Sequence, residues 1–286
     1  MKLAVLIPAA DYGADWRWAY DVEAEALEAA GAKVEPVRWT EKRDLSGFDL
    51  ILPLVAWGYH RDYPAWLRFL DRLEQQGLPV ANSVPLLRWN SDKTYLAELS
   101  SSGISTVPTI VATALDDVAL DDARDTFGCS QLVIKPPVSA SAFGTFVLRK
   151  GQPVPAAVLG QRMMVQGWLG SIVETGEYSL IFFDGEYSHA VSKLPKPGEF
   201  RVQPEYGGII TRCKAPAAAQ ELALAALAAA PAESTYARVD LVVGNDGALQ
   251  VIELELIEPA LFLAQAPEAG HALGRAARSA AERLRK

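Results

Sequence analysis

The sequence predicts an α/β protein in three parts: an open α/β sheet first, then a small α+β lobe, and finally an antiparallel sheet. A βαβ pattern opens the chain, and strand-like segments joined by short turns dominate after residue 162. With 286 residues, half of them hydrophobic, the chain is long enough for two domains or three small lobes.

The first part, residues 1–89, opens with an apolar strand at Leu3–Ile7, a helix at Asp21–Ala30 and a strand at Lys33–Val37. Further elements are predicted at Phe48–Val55 (strand), Trp66–Gln76 (helix) and Leu78–Ala81 (short strand). Ligands of such sheets bind beyond the carboxyl ends of the strands. The loops at those ends are Ala9–Tyr20 and Ala56–Tyr63.

The second part, residues 90–165, is predicted to begin with a helix that runs to about Ser101, with Ser91 or Asp92 as its cap. An acidic stretch at Asp116–Asp125 has the composition of a solvated helix face. Strands are predicted around it at Val107–Val111, Gln131–Lys135 and Gly144–Arg149. These elements indicate a small α+β lobe.

The third part, residues 166–286, is predicted to consist mainly of strands. Asp184-Gly185 and Asn245-Asp246-Gly247 have the composition of hairpin turns. The predicted strands are Met163–Gln166, Ser171–Phe183, Glu186–Lys193, Tyr236–Gly244 and Ala248–Glu255, and the predicted helices are Ala217–Ala230 and Gly270–Lys286.

The charge and composition favour a small-molecule partner. A formal net charge of −8 gives no electrostatic basis for binding nucleic acid or an anionic membrane surface. No apolar run approaches the roughly 20 residues that span a bilayer, and the two cysteines have no metal or redox spacing. We therefore expect a cytoplasmic protein, and a homodimer is left open.

Three acidic residues are predicted to meet on one side of an antiparallel strand pair. Side chains alternate along Val251–Leu256, so that Glu253, Glu255 and Val251 share one face, and Asp240 lies on the preceding hairpin strand. Magnesium suits such a cluster because carboxylates and substrate phosphate oxygens are its usual ligands. The alternative is a solvent-facing sheet with incidental acids.

A lysine and a loop of small residues indicate an anion site. Lys135 ends an apolar strand and precedes Pro136-Pro137, and the loop at residues 139–145 lets backbone N–H groups approach an anion closely. An ordinary hairpin loop is the alternative.

Taken in order, these segments resemble the ATP-grasp superfamily, nearest to the glutathione-synthetase-like and ribosomal-protein glutamate-ligase branch. The resemblance covers nearly the whole chain. It implies an ATP-grasp fold with an N-terminal open α/β domain, a central lid lobe and a C-terminal antiparallel-sheet domain. Its motifs are Asn90-Ser91-Asp92-Lys93, Val133-Ile134-Lys135-Pro136, residues 139–145, Val165–Leu169, Glu199–Gln203 with Gly207-Gly208, Arg238-Val239-Asp240 and Glu253-Leu254-Glu255.

The resemblance assigns a role to each of these motifs. The residues that it places around ATP are Lys93, Lys135, Ser139, Ser141, Gly144, Gln166, Gly167, Trp168, Leu169 and Glu174, of which Glu174 corresponds to a ribose-binding acid. Magnesium would be held by Asp240, Glu253 and Glu255, and the catalytic residues would be Lys135, Arg201 and Arg238. The chain departs from the family in two places: the phosphate loop has one glycine, and Glu255 replaces a common asparagine.

The activity implied is that of an ATP- and magnesium-dependent carboxylate–amine ligase that forms an acyl phosphate on a small amino-acid-like substrate. Some relatives close a ring within one molecule, including the cyclo-ligase of cycloserine formation, so both reactions stay open. Two alternatives are a nucleotide-binding sensor without turnover and a small-molecule phosphotransferase.

Substrate contacts are expected from the two loops of the first part, together with Arg201. Aromatic and charged side chains are concentrated there, and the candidates are Asp11, Trp57, Tyr59, His60 and Arg61. The alternative is that the tryptophans Trp16, Trp18 and Trp57 pack at a domain interface.

Overall fold

The computed structural model describes residues 1–202 and 206–285, and it contains three sheets. The first is parallel, with the strand order β2-β1-β3, where β1 is Lys2–Ile7, β2 is Lys33–Arg38 and β3 is Leu50–Leu52. Alternate residues of β1 enter two different cores, as expected for a parallel sheet that is covered on both faces. Helix α1 (Arg17–Ala29) packs on one face, and α2 (Tyr63–Gln75) packs on the other.

Two predictions for the end of this region are wrong. Leu78–Ala81 contributes an isolated bridge between Val80 and Ile51 rather than a strand. The helix expected to start near Ser91 is two helices, α3 (Val84–Asn90) and α4 (Tyr95–Ser101). Ser91 is the C-cap residue of α3 rather than the N-cap of the following helix, and both its N–H and its hydroxyl donate to the carbonyl of Leu87. The turn between the helices carries Lys93.

The second sheet is antiparallel and has the order β4-β7-β5-β6. Its strands are Thr109–Ala112, Gln131–Lys135, Phe146–Arg149 and Met163–Gly167, numbered β4 to β7 in chain order. The acidic stretch forms helix α5 (Asp117–Phe127), as predicted. Asp116 caps this helix by accepting a 2.8 Å hydrogen bond from the N–H of Ala119.

The third sheet has five antiparallel strands in the order β10-β9-β8-β11-β12. They are Glu177–Phe183, Glu186–Leu194, Ile209–Cys213, Tyr236–Val243 and Leu249–Glu255, numbered β8 to β12, and β10 was not predicted. The predicted strand Ser171–Phe183 is wrong in its first part, which forms the short helix α6 (Ser171–Glu174). The Ser171 hydroxyl donates to the carbonyl of Val243, which holds this turn on the sheet.

A β-bulge at Ile252 changes the predicted pattern of strand β12. Asp240 pairs with Glu253, but the next residue of β11, Leu241, pairs with Val251, which leaves Ile252 without a partner in the ladder. Val251 therefore enters the core instead of sharing the face of the two glutamates. The predicted position of Val251 is wrong for this reason.

The last helices complete the hydrophobic cores. Helix α7 (Ala217–Ala228) covers the third sheet with three buried alanines. Helix α8 (Gly270–Leu284) returns to the first sheet and packs against α1, where Gly274 faces Ala30. No helix in the described ranges is both long and apolar enough to cross a membrane.

Candidate active site

A cavity of about 710 Å³ is lined by residues from the second and third sheets, from helix α1 and from the loops of the first sheet. Its size is within the range of small-molecule sites. The predicted site residues that line it are Lys93, Lys135, Ser139, Ser141, Gln166, Gly167, Trp168, Leu169, Arg201, Arg238, Asp240, Glu253, Glu255 and Trp57. The chain therefore brings together side chains that are up to 198 residues apart, from Trp57 to Glu255.

The three predicted acids form a compact cluster on β11 and β12. Asp240, Glu253 and Glu255 each have a carboxylate oxygen within 4.8 Å of the others. The register of the hairpin places Asp240 opposite Glu253 and Arg238 opposite Glu255. Of the three acids, Asp240 is buried, whereas the two glutamates are partly exposed to the cavity.

Basic side chains form ion pairs with the glutamates of this cluster. Lys93 Nζ lies 2.8 Å from Glu253 Oε1, and Arg238 Nη2 lies 2.5 Å from Glu255 Oε1. Burial would raise the pKa of Glu253, but the charges of Lys93 and Lys135 hold it below its ordinary value. For Glu255, burial outweighs the effect of Arg238 and raises the pKa to about 7.

Asp240 is held by a dense set of donors. Arg238 binds it through Nε and Nη2, each at 2.9 Å, the Ser179 hydroxyl donates at 2.5 Å, and Lys193 Nζ lies at 3.2 Å. Burial opposes ionisation, but Arg238 and Lys193 hold the pKa of Asp240 well below its ordinary value. Asp240 is therefore an ionised anchor for the two cations as well as a candidate metal ligand.

Lys135 and the loop at residues 139–145 border the same cavity. Burial, helped by the charge of Lys93, lowers the pKa of Lys135. Lys93 also donates a 2.6 Å hydrogen bond to the carbonyl of Ser139, which links the loop to β12 through Glu253. The backbone has positive φ at Ser141, Ala142 and Gly144, and a Cβ at Gly144 would lie 2.8 Å from the Pro136 ring.

The predicted hinge, Val165–Leu169, begins within β7 and continues beyond its end. Gln166 is buried and donates to the Thr109 hydroxyl at 2.8 Å. The Trp168 N–H already donates to Gln131, and its carbonyl accepts from Asn245. Adenine recognition by backbone groups therefore remains a prediction that depends on neighbouring positions of the hinge.

Arg201 lines the cavity, but its guanidinium is engaged differently from the prediction. The expected position was beside phosphate rather than in an ion pair. Instead, Arg201 binds Glu199 with Nε–Oε1 at 3.0 Å and Nη2–Oε2 at 2.5 Å, and it stacks 3.6 Å from the centre of the Tyr206 ring. The cause is local, because a carboxylate two residues away occupies the fork of the arginine. Gln203, part of the same predicted motif, lies outside the described residues.

Several predicted site residues do not line the cavity. Glu174 is exposed on α6, and Gly144 shapes the loop without lining the cavity. In the substrate loops, Asp11 is exposed and Tyr59 is buried in the core beside Trp66.

His60 and Arg61 also lie outside the cavity wall. His60 contacts the Phe143 ring of the loop at a centroid distance of 5.3 Å, and Arg61 donates to the Tyr12 carbonyl at 3.1 Å. The structure therefore brings Trp57, but not these two side chains, to the cavity.

Several cavity residues were missed in the sequence: Glu23, Glu177, Lys193, Ile252 and Glu258. Glu177 and Lys193 are an ion pair at opposite positions of β8 and β9. The sequence did contain a signal for this pair, because each of two strands inside the sheet carries a charged residue. Ile252 reaches the cavity because of the bulge, which the sequence pattern did not indicate.

Comparisons with known proteins agree with this geometry. A family model described as the N-terminal domain of D-cycloserine synthetase DcsG matches residues 5–82. The cycloserine biosynthesis protein DcsG of Streptomyces lavendulae is 31% identical over 260 residues, which cover 84% of this chain and 86% of that protein.

Solved structures extend the similarity to the whole fold. The crystal structure of D-cycloserine synthetase DcsG matches with a TM-score of 0.86 and 28% identity, over 99% of this chain and 100% of that one. The D-alanine–D-alanine ligase of Bacillus anthracis shares the fold, with a TM-score of 0.72 and 19% identity over 100% of this chain and 98% of that one. The chain therefore belongs to the ATP-grasp superfamily, in the family of the cycloserine synthetase DcsG, and is an ATP-dependent ligase of the class that forms C–N bonds.

Proposed function

We propose that this ligase uses MgATP to activate the carboxylate of a small amino-acid-like substrate and then closes an amide ring within that molecule. One observation carries the proposal: basic residues, the carboxylate cluster and the N-terminal loops line a single cavity. The similarity to D-cycloserine synthetase along the chain supports ring closure, since the product named for that protein is a cyclic amide of an amino acid.

The nucleotide would bind between the second and third sheets. Lys93 and Lys135 offer positive charge to its phosphates, and the loop at residues 139–145 offers backbone N–H groups. Trp168 and Leu169 line the same cavity, and we expect them to hold the base. Glu174, which the resemblance assigns to ribose, is the weakest member of this set because it lies off the cavity.

The residues present fit a magnesium site. Three carboxylates within 4.8 Å of one another, two of them open to the cavity, are the hard oxygen donors that this ion prefers. Glu253 and Glu255 would hold the metal, with Asp240 behind them. When bound, magnesium supplies positive charge against the repulsion between the phosphate groups and the attacking carboxylate.

The reaction then has two steps. A carboxylate oxygen of the substrate attacks the γ-phosphorus of ATP, and the bond between that phosphorus and the β-phosphate oxygen breaks. The products of this step are ADP and an acyl phosphate on the substrate. An aminooxy-type nitrogen of the same molecule next attacks the carbonyl carbon, gives up its proton and displaces phosphate. Lys93, Lys135 and Arg238 would offset the negative charge that develops in the first step.

Exclusion of water matters because an acyl phosphate hydrolyses. We therefore propose that the central region, residues 90–165, is a lid between the substrate region at residues 1–89 and the metal-bearing region at residues 166–286. The contact of His60 with Phe143 supports this division, since it brings the loop against the N-terminal region.

The proposal is tested by measuring substrate-dependent ADP release. The compounds are a panel of D- and L-amino acids with aminooxy, ureido or carboxyl side chains. We expect ADP, phosphate and a cyclised product in equal amounts. A phosphorylated product without phosphate release would indicate a phosphotransferase. ATP binding without turnover of any compound would indicate a sensor.

The supply of ATP and amino acids also favours a cytoplasmic location. Fractionation of the native host, with detection of the intact chain, tests this part of the proposal. Recovery outside the cytoplasm would contradict it.

A further inference from the structure

Glu23 differs from the other acidic residues of helix α1 because its side chain is buried. The buried positions of this helix are Ala19, Glu23, Ala24 and Leu27, and the spacing of Ala19, Glu23 and Leu27 is that of one helical face. The other acids of the helix, Asp21, Glu25 and Glu28, are all exposed. A carboxylate thus occupies a position where the fold calls for an apolar side chain.

Within the part of the chain that the structure describes, no counter-charge or hydrogen bond accounts for the burial of Glu23. The residue is 3% exposed, and its Oε2 atom has no hydrogen-bond partner among the described residues. Burial raises the pKa of Glu23 well above its ordinary value, and no neighbouring cation lowers it. Buried acids in proteins are normally paired, so this one lacks the partner that its burial requires.

The partner can come from the cavity, because Glu23 lines the same cavity as the nucleotide and metal residues. Trp18 and Val22 of the same helix and the segment from Ala260 to Gln265 also line this cavity. Glu258 belongs instead to the charged cluster, because burial raises its pKa to about 8 and Glu255, Lys93, Glu253 and Arg238 all affect that pKa.

The cations that line the cavity lie apart from Glu23, because burial alone shifts the pKa of Glu23 and none of these cations contributes. Lys93, Lys135 and Arg238 attract the carboxylate and phosphate groups of the reactants and repel an ammonium group. An amino-acid substrate carries both charges, so its two charged groups must face different walls. Among the described residues that line the cavity, Glu23 is a buried acid without a pairing cation, so it is available to the ammonium group.

We infer that Glu23 binds the ammonium group of the amino-acid substrate and so selects compounds that carry a free amine. This inference rests on the proposed function. Binding would place a cation against the buried carboxylate, supply its missing hydrogen bond and favour its ionised form. An acid kept only for packing would gain nothing from this position, because an apolar side chain of the same length would fill it better.

Glu23→Met tests the inference, because methionine keeps the length and flexibility of the side chain but cannot bind a cation. We expect the KM for the amino-acid substrate to rise by roughly 10- to 100-fold, with the KM for ATP unchanged. The melting temperature should stay the same or rise, since an unpaired buried acid has been removed. The matched control is Glu25→Met, an exposed acid of the same helix, which should change neither KM.

A pair of binding probes separates recognition from turnover. D-cycloserine and its counterpart without the amine, isoxazolidin-3-one, are titrated calorimetrically into the wild type and into Glu23→Met in the presence of MgADP. Preference of the wild type for D-cycloserine, lost in the variant, supports the inference. Equal binding of the two probes, no binding of either, or an unchanged substrate KM in the variant overturns it.

The same probes keep the inference distinct from the proposed function. Absence of ADP release with every compound of the panel contradicts the ring-closing ligase, whatever the probes show. Turnover of the panel by wild type together with a normal KM in Glu23→Met contradicts only the assignment of Glu23.

Discussion

At the scale of single residues, the charged side chains of the site form ion pairs with one another. Lys93 pairs with Glu253, and Arg238 pairs with both Asp240 and Glu255. A metal ion at the acids would compete with these cations and release them toward phosphate. These charged residues were all candidates in the sequence, but the sequence could not indicate that Lys93 pairs with Glu253, because the two come from distant segments. Arg201 is the opposite case, because it pairs with Glu199 only two residues away.

Lys135→Met should remove most of the thermal stabilisation that MgATP gives the wild type. A ligand that binds only the folded state raises stability by mass action, and a saturating ligand at 100 times its Kd contributes about 2.7 kcal/mol. Differential scanning fluorimetry with and without MgATP measures the shift. Lys150→Met is the control, because Lys150 is exposed beyond the end of β6. An unchanged MgATP shift in Lys135→Met would remove this lysine from the phosphate site.

His60→Phe should make stability less sensitive to acid. Burial, with Arg61 and Lys93 nearby, lowers the pKa of His60 from 6.5 to about 4. The unfolded chain therefore takes up a proton on this residue below its ordinary pKa, whereas the folded protein does not until about pH 4. The wild type consequently loses stability between these two values as the pH falls.

After allowance for partial exposure, the loss attributable to His60 is about 1–2 kcal/mol. Urea unfolding at pH 7 and at pH 4.5 should give a smaller decrease for His60→Phe than for the wild type. The control is His271→Phe, at an exposed position on α8. Equal decreases in all three proteins would contradict the assignment.

At the scale of elements, long segments with strong patterns were predictable and local hydrogen bonding decided the rest. The βαβ opening, the capped acidic helix α5 and the Asp184-Gly185 turn agree with the structure. Two of the errors lie where a serine hydroxyl donates to a backbone carbonyl, from Ser91 to Leu87 in the same turn and from Ser171 to Val243 on the adjoining strand. Such bonds redirect the backbone without changing the hydrophobic pattern.

Gly274→Ala should destabilise the protein although alanine is the better helix former. A Cβ at this position would lie 2.4 Å from the Cβ of Ala30, and neither side chain can rotate away. We expect overpacking of about 1–3 kcal/mol to exceed the gain in helix propensity of about 1 kcal/mol. Thermal melting is the measurement, with the exposed Arg275→Ala on the same helix as the control. A melting temperature above that of the wild type would show that the helices can move apart freely.

At the scale of the whole molecule, the last helix of the chain packs in the same core as its first strand. Helix α8 contributes Leu273, Ala277 and Ala281 to the core that also contains β1 and α1. The sequence predicted an amphipathic closing helix, but periodicity does not indicate which sheet a helix covers. The site was predicted in the same incomplete way: its chemistry followed from motifs, whereas the buried Glu23 required the packed structure.

Truncation after Ala269 should therefore unfold the N-terminal region as well as remove α8. The lost apolar surface includes six buried alanine, leucine and glycine positions between Leu273 and Ala281, and core losses of several kcal/mol approach the total stability of a domain. Limited proteolysis followed by mass spectrometry should detect cleavage within residues 1–89. Truncation after Leu284 is the control and should resist cleavage. Protection of the N-terminal region in the shorter chain would contradict this account.

The bulge at Ile252 also affects how relatives of this chain should be aligned. Because Ile252 has no partner on β11, a chain without it could pair Glu253 and Val251 with the same neighbours in an unbroken ladder. A one-residue gap at Ile252 would leave Glu253 and Glu255 facing the cavity and Val251 facing the core. A gap between Glu253 and Glu255 would instead turn one of them toward the core. Insertions and deletions in this strand are therefore tolerable at one position, and an alignment of metal ligands should place its gap there.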